Sequence, residues 1–223
     1  MPTYEALASK QNELIRKTLD GSVFLAPVTA PAIEAITDAS SELVAPPAAY
    51  NDLGLLTNDG AQFGRDVSSS DMTSWGSVGP TRSDITADTV TLTVSCQETN
   101  ITTLGLATSA ELANAVPAPG GEVKIFKPSR PVPRFYRVLV LGVDEGDAGP
   151  IYIARFFPRV KVSSFAEQSF SGGDDGLLWG ATMTAYNDKA FGTAEAMFFG
   201  GPGWLALLPA MGFQPAAAPA PAA

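Results

Sequence analysis

The sequence predicts a mainly β fold, a β-sandwich or barrel with a flanking α-helix and an N-terminal helix and arm. Residues 89–97 alternate apolar and polar side chains without a break, and residues 134–143 are apolar at nearly every position. From Tyr50 onward, short β-rich runs recur between Gly, Pro and Asp-Gly turn signals. Composition permits such a fold. The 223 residues, 45% hydrophobic and 17% charged, bury a sizeable core without staples, and the single thiol, Cys96, excludes an intramolecular disulfide.

In chain order, Tyr4, Leu7, Leu14, Ile15 and Leu19 fall at roughly helical spacing among Glu5, Lys10, Glu13, Arg16 and Lys17. This predicts a short amphipathic helix over 3–19, closed by Asp20-Gly21. Residues 21–50, rich in Ala, Pro and Ser, accommodate one short strand around Phe24 and a short helical piece, and otherwise read as an extended arm or an irregular entry to the domain. In 52–67, Asp59-Gly60 lies between two apolar runs, which predicts a two-residue hairpin turn. The polar stretch 68–84 with its lone Trp75 is a long loop or the twisted ends of two strands, and long loops in compact domains make contacts or carry function.

The alternation at 89–97 is the clearest strand signal. Val90, Leu92, Val94 and Cys96 point to a dry face, and Thr91, Thr93, Ser95 and Gln97 to a wet or partner-facing one. Asn100 is placed to cap a short helix; the sequon at 100–102 carries no weight without an export signal. Residues 115–121 form a turn, 122–127 a strand, and 134–143 a strand buried on both faces, followed by a turn at 144–150. Two further strands, 151–157 and 159–165, are separated by Pro158; 177–186 is another, and 194–208 is compatible with one more. The expected division is therefore an N-terminal helix and arm (1–49), a β domain (50–208) and an Ala/Pro tail (209–223) too poor in apolar bulk to order itself.

Charge and missing residue types narrow the function. No histidine is present, which removes Ser/His/Asp and Cys/His nucleophile arrangements and His-containing zinc sites. A carboxylate-only hydrolase would need a matched acid pair. The candidates do not supply one: Asp144, Glu145 and Asp147 lack calcium-loop spacing, and Asp174-Asp175 reads as a turn. The Gly200–Gly203 run lacks a phosphate-cradling pattern, so no enzyme, cofactor or metal is expected. A net charge of −9 argues against tight phosphate-backbone binding, yet residues 123–161 hold 8 basic and 3 acidic groups in an otherwise acidic chain. Such a basic middle is either a solvated face or one half of a complementary contact between copies. The start has no secretory-signal pattern, and Gly and Pro interrupt the uncharged stretch 196–213, so neither export nor a membrane span is expected. Trp75, Trp179 and Trp204 read as core or interface anchors rather than sugar platforms.

The run DLGLLTNDGAQFGRDVSSSDMTSWGSVGPTRSDITADTVTLTVSCQETNITTLGL, together with IRKTLDGSVFLAP and the late GGPGW, resembles the major tail (tail tube) proteins of long-tailed actinobacterial phages. The resemblance implies a tail-tube fold in which several strands per subunit join an inner barrel as hexameric rings close. Rings then stack into the conduit for genomic DNA, assembled in the host cytoplasm and found in the virion tail. It further implies self-association, a tape measure protein and tail terminator or tip proteins as partners, transient passage of DNA that does not stick to an acidic channel, and no membrane. On this reading the contacts between subunits involve Phe24, Leu25 and Val28 of the arm, Asp71, Trp75 and Arg82 of the 59–84 stretch, and Arg134 and Arg137 of the basic middle. The alternatives are a tail terminator or secretion-tube subunit of related fold, and a carbohydrate-binding module on a virion surface.

Overall fold

The chain, described here from a computed structural model, is defined at residues 3–8, 10–110, 112, 115–126, 129–130, 132–170 and 176–214. Its elements are α1 (Tyr4–Leu7), β1 (Asp20–Pro27), β2 (Asn51–Asp52), β3 (Gln62–Thr73), β4 (Pro80–Cys96), α2 (Ile101–Thr108), β5 (Tyr136–Gly146), β6 (Gly149–Phe165), β7 (Trp179–Ala185), β8 (Ala196–Gly200) and α3 (Pro202–Leu207). The strands form one antiparallel sheet in the order β2-β1-β5-β6-β7-β4-β3. On the edge of β6 opposite β5, β8 pairs with Tyr152–Phe156 and β7 with 160–165, so the two lie in line along one strand.

Strand alternation gives each face its own core. On one face Val23, Leu25, Leu92, Val94, Val138, Phe157 and Met183 come together with Leu53 and with Leu106 of α2. That one cluster draws on β1, β4, β5, β6 and β7, so the sheet curls around it. On the opposite face of β1, β5 and β6, Ala26, Leu139 and Phe156 are covered by Ala30, Ile33, Ile36 and Tyr50. Phe156 and Phe157 are fully buried on opposite faces, each burial stabilising the fold by roughly 1.5–3 kcal/mol.

Several expectations are corrected. The N-terminal helix shrinks to the four residues of α1 and a 3-10 turn at Asn12–Leu14, and Asp20 opens a strand instead of ending a helix. Tyr4, Leu7, Ile15 and Leu19 are exposed, so no packed face supports a helix that is too short to persist alone. The chain lies along β5 instead: Arg16 pairs with Asp144 at 3.2 Å and the Leu19 amide donates to the Val143 carbonyl. Asp59-Gly60 does form a tight turn, with Gly60 at φ +62, but not a hairpin. Leu56 bridges Cys96 while β3 pairs from Thr93 downward, so both runs lie end to end along β4. The hairpin is β3–β4, closed at 74–79, which realises the second reading of the 68–84 stretch.

Residues 122–126 form no strand, and Lys127 lies outside the described residues. Pro158 does not break its strand, because β6 runs through it for 17 residues. The proline occupies the gap between β8 and β7 on one edge and a bulge against β5 on the other, so its missing N–H interrupts no ladder. Residues 194–208 supply β8 and then α3. α2 begins as expected: Asn100 Oδ1 accepts from the Thr102 and Thr103 amides, and Thr103 Oγ1 accepts from the Asn100 amide. The arm residues 20–27 belong to the sheet, with β1 paired along β5 over eight positions and Phe24 opposite Asp52 across the expected 49/50 boundary. Of the Ala/Pro tail, residues 215–223 lie outside the described residues. No described helix is long and apolar enough to cross a membrane.

Candidate functional site

The β3–β4 hairpin leaves the body of the protein where β7 ends. β4 pairs with β7 only over Thr91–Cys96, whereas β3 and β4 continue together to Thr73 and Pro80. All twelve residues of β3 and the first nine of β4 are exposed. A two-stranded ribbon with both faces in water is marginal by itself. Here it also carries Val67, Met72 and Ile85, and at its tip Trp75 and Val78 are fully solvent-exposed. Arg65 and Asp88 form a bidentate pair at 2.8 and 2.6 Å, which holds the Asp88 carboxyl below the usual aspartate range. Arg82 pairs with Asp84 at 2.7 Å, and Asp71 is exposed beside Ser83 and Met72.

Register places a hydroxyl-rich surface on the outer face of the curled sheet. One row across β6, β7, β4 and β3 reads Lys161, Thr184, Thr91, Gly64; the next reads Ser164, Thr182, Thr93, Gln62. The Thr93 and Thr182 hydroxyls meet at 3.0 Å, and the lone cation, Lys161, sits over the Tyr186 ring. A Cβ at Gly64 would lie 2.6 Å from Thr91 Oγ1, so that row is closely packed. This four-stranded stretch has an open edge at each side. β3 has no partner beyond β4 among the described residues, and past Val160 β6 has no β5 partner.

On the opposite side of the sheet, a cleft of about 700 Å³ lies between β1, the 54–61 turn and the start of β6. Asp20, Asp52, Asp59 and Glu98 line it. Its one cation, Arg155, is paired with Glu195 at 3.2 Å and stacked on Phe63.

The residues expected at subunit contacts are not brought together: one is internal, and another is engaged within its own chain. Leu25, 6% exposed, points into the main core on the inward parity of β1 and is unavailable to a neighbour. Arg137 is half-buried and engaged within its own chain: Nε donates to the Val28 carbonyl at 3.0 Å, and the guanidinium lies 4.0 Å from Asp188. It fastens the arm to its own sheet. Asp188 accepts from the Ala190 and Phe191 amides, and these bonds hold its carboxyl below the ordinary aspartate value. Phe24 and Val28 are half-buried, Phe24 beside the second core, and Arg134 is half-buried where the chain enters β5. Asp71, Trp75 and Arg82 share the hairpin's distal half.

Trp204 stacks on Phe199 at 4.7 Å and Trp179 donates to Thr99 Oγ1, so both serve the fold. The threonine rows and the open edges of β3 and β6 escaped sequence reading. The parity of 89–97 marks a polar face, but only register reveals that β7 continues it.

No curated protein matches the chain. Among solved structures, a chain from the virion of a native gene transfer agent particle is similar at 11% identity and a TM-score of 0.34, over 73% of this chain and 98% of that one. The family model described as phage tail tube protein matches residues 8–197, a span that includes the exposed hairpin, the threonine rows and the cleft, and the chain belongs to that family.

Proposed function

We propose that this structural tail protein polymerises by joining β3 of one copy to the free edge of β6 at 161–165 in the next, closing hexameric rings that stack into a tube for genomic DNA. The observation that supports this most strongly is the pair of open edges at opposite sides of the β6-β7-β4-β3 stretch. Its strands alternate in direction, so β3 of one copy and β6 of the next meet antiparallel, and the pattern repeats around a ring without a break. Closure satisfies the exposed backbone groups of both edges. It also gives both faces of the hairpin a neighbouring surface to cover.

In such a ring the core lies outside the barrel and the threonine rows face the channel. A hydroxyl surface with one engaged lysine offers a polyanion no run of cations to release counterions against, so DNA slides through it. The hairpin tip, with Trp75 and Arg82, then contacts the adjoining ring. Tape measure, terminator and tip proteins are the partners at the ends of the tube, and assembly takes place in the host cytoplasm.

The test removes the hairpin's outer half. Val67 and Asp88 face each other, so an Asn-Gly turn joining them in place of 68–87 preserves the ladder next to the core. Negative-stain electron microscopy of concentrated wild-type protein should reveal rings and hollow rods. The shortened variant should give only a folded monomer, with wild-type circular dichroism. Rods formed equally well by the shortened variant would rule out edge pairing through the outer half of β3.

A further inference from the structure

We propose that the acidic cleft beside the 54–61 turn receives the basic 123–134 segment of a second copy of the chain. This rests on the ring assembly proposed above and names a further contact within it. The cleft is acidic because Asp20, Asp52, Asp59 and Glu98 line it while its only cation is engaged by Glu195 and Phe63. Its wall is also apolar: Leu55 is 68% exposed there. An occupant must therefore combine positive charge with apolar side chains on a slender backbone.

The 123–134 segment has that chemistry. It contains Lys124, Lys127, Arg130 and Arg134 and no acidic residue, with Pro128, Pro131 and Pro133 among them. Prolines at this density favour the extended polyproline conformation, which has three residues per turn. In that conformation Lys124, Lys127 and Arg130, spaced every third residue, line one edge. Phe126 and Val132 are 79% and 71% exposed, far more than two large apolar side chains need be in a finished assembly. Lys124 forms an exposed pair with Glu122 at 3.6 Å, which exchanges readily for a carboxylate in the cleft. Because the prolines already restrict the backbone of the free chain, docking costs the segment little chain entropy. Cleft and segment are different surfaces of the same chain, so the contact is head to tail and suits a ring or a stack.

Cysteine cross-linking between copies tests this, aided by the native thiol. Cys96 is fully buried and its pKa is pushed up to about 11, so it does not compete. Leu55→Cys and Phe126→Cys proteins are mixed, assembled and oxidised, and non-reducing gels should reveal a covalent dimer that neither protein forms alone. A parallel mixture uses Tyr4→Cys in place of Phe126→Cys. Rods with no cross-link from the Phe126 mixture, or with a stronger one from the Tyr4 mixture, would overturn the assignment while leaving ring assembly intact. Absence of any rings or rods, including from wild-type protein in the presence of preformed tails as seeds, would overturn both. As a check that does not depend on cysteine, Lys124→Glu and Asp59→Lys should each raise the concentration needed for rods by about tenfold, and the double variant should restore it. Unchanged assembly in both single variants would also overturn the assignment.

Discussion

At the scale of the residue, a few polar side chains decide where irregular chain attaches to the sheet. Asn100 ties α2 to the body: beyond capping the helix, its Nδ2 donates to the Leu53 carbonyl at 3.1 Å. Asn100→Ala should lower stability by about 1 kcal/mol, the usual cost of a lost N-cap, read as a lower urea midpoint with an unchanged slope. Asp188 is the corresponding lock for the arm, bonded to two amides and facing Arg137, which holds the Val28 carbonyl. Its folded value is depressed, so its contribution is fully present above the ordinary aspartate value of about 3.9 and disappears as pH falls through the lower folded one. Wild type should therefore exceed Asp188→Asn in urea midpoint at neutral pH, and the gap should narrow steadily on acidification. A gap independent of pH would mean that the carboxylate charge does not matter there.

Elements add what single residues cannot. The Asn100 cap was legible because it depends on residues next to one another in sequence, as were the parity of 89–97 and the chain reversal within 144–150, although the turn itself is only 147–148 and strands β5 and β6 take the rest. Two elements were misread for one reason: local pattern does not specify a partner. Apolar spacing at 3–19 suits a helix, yet Tyr4, Leu7, Ile15 and Leu19 stay exposed, and Arg16 reaches Asp144 instead. Asp59-Gly60 has hairpin chemistry, but β4 takes both flanking runs on one edge. The β3–β4 hairpin was left open between a loop and two strand ends because its outer half is polar and exposed, so burial leaves no imprint of alternation there. Its tip supplies the prediction at this scale. Trp75→Ala should leave rings intact but shorten or abolish rods in electron micrographs, since a fully exposed Trp adds nothing to the folded monomer. Rods of normal length would mean that the tip does not hold rings together.

For the whole molecule, the decisive feature is that the sheet curls over its core while the β6-β7-β4-β3 stretch stays open at each side among the described residues. One face buries the apolar cluster, and the other presents threonine rows with a single engaged lysine. If those rows line a channel, each substituted residue recurs around every ring. Thr93→Lys should assemble normally, yet its tubes should retain DNA in a gel-shift assay at low salt and release it as salt rises. Wild-type tubes should retain none, and equal behaviour of the two would mean that Thr93 lies outside the channel.

The sequence by itself determined the β class, the dry and wet parity of the β4 end, the capped helix, the want of nucleophile machinery and the likeness to tail tube proteins. Each of these is encoded locally or by composition. Only the tertiary structure decided that Leu25 and Arg137 serve contacts within the chain itself, that Asp59-Gly60 redirects one edge, that Pro158 fits a gap between two strands, and that the threonines of β4 and β7 share a face. Those outcomes depend on which distant strand lies alongside, a choice made by the packing of the whole chain rather than by any single segment.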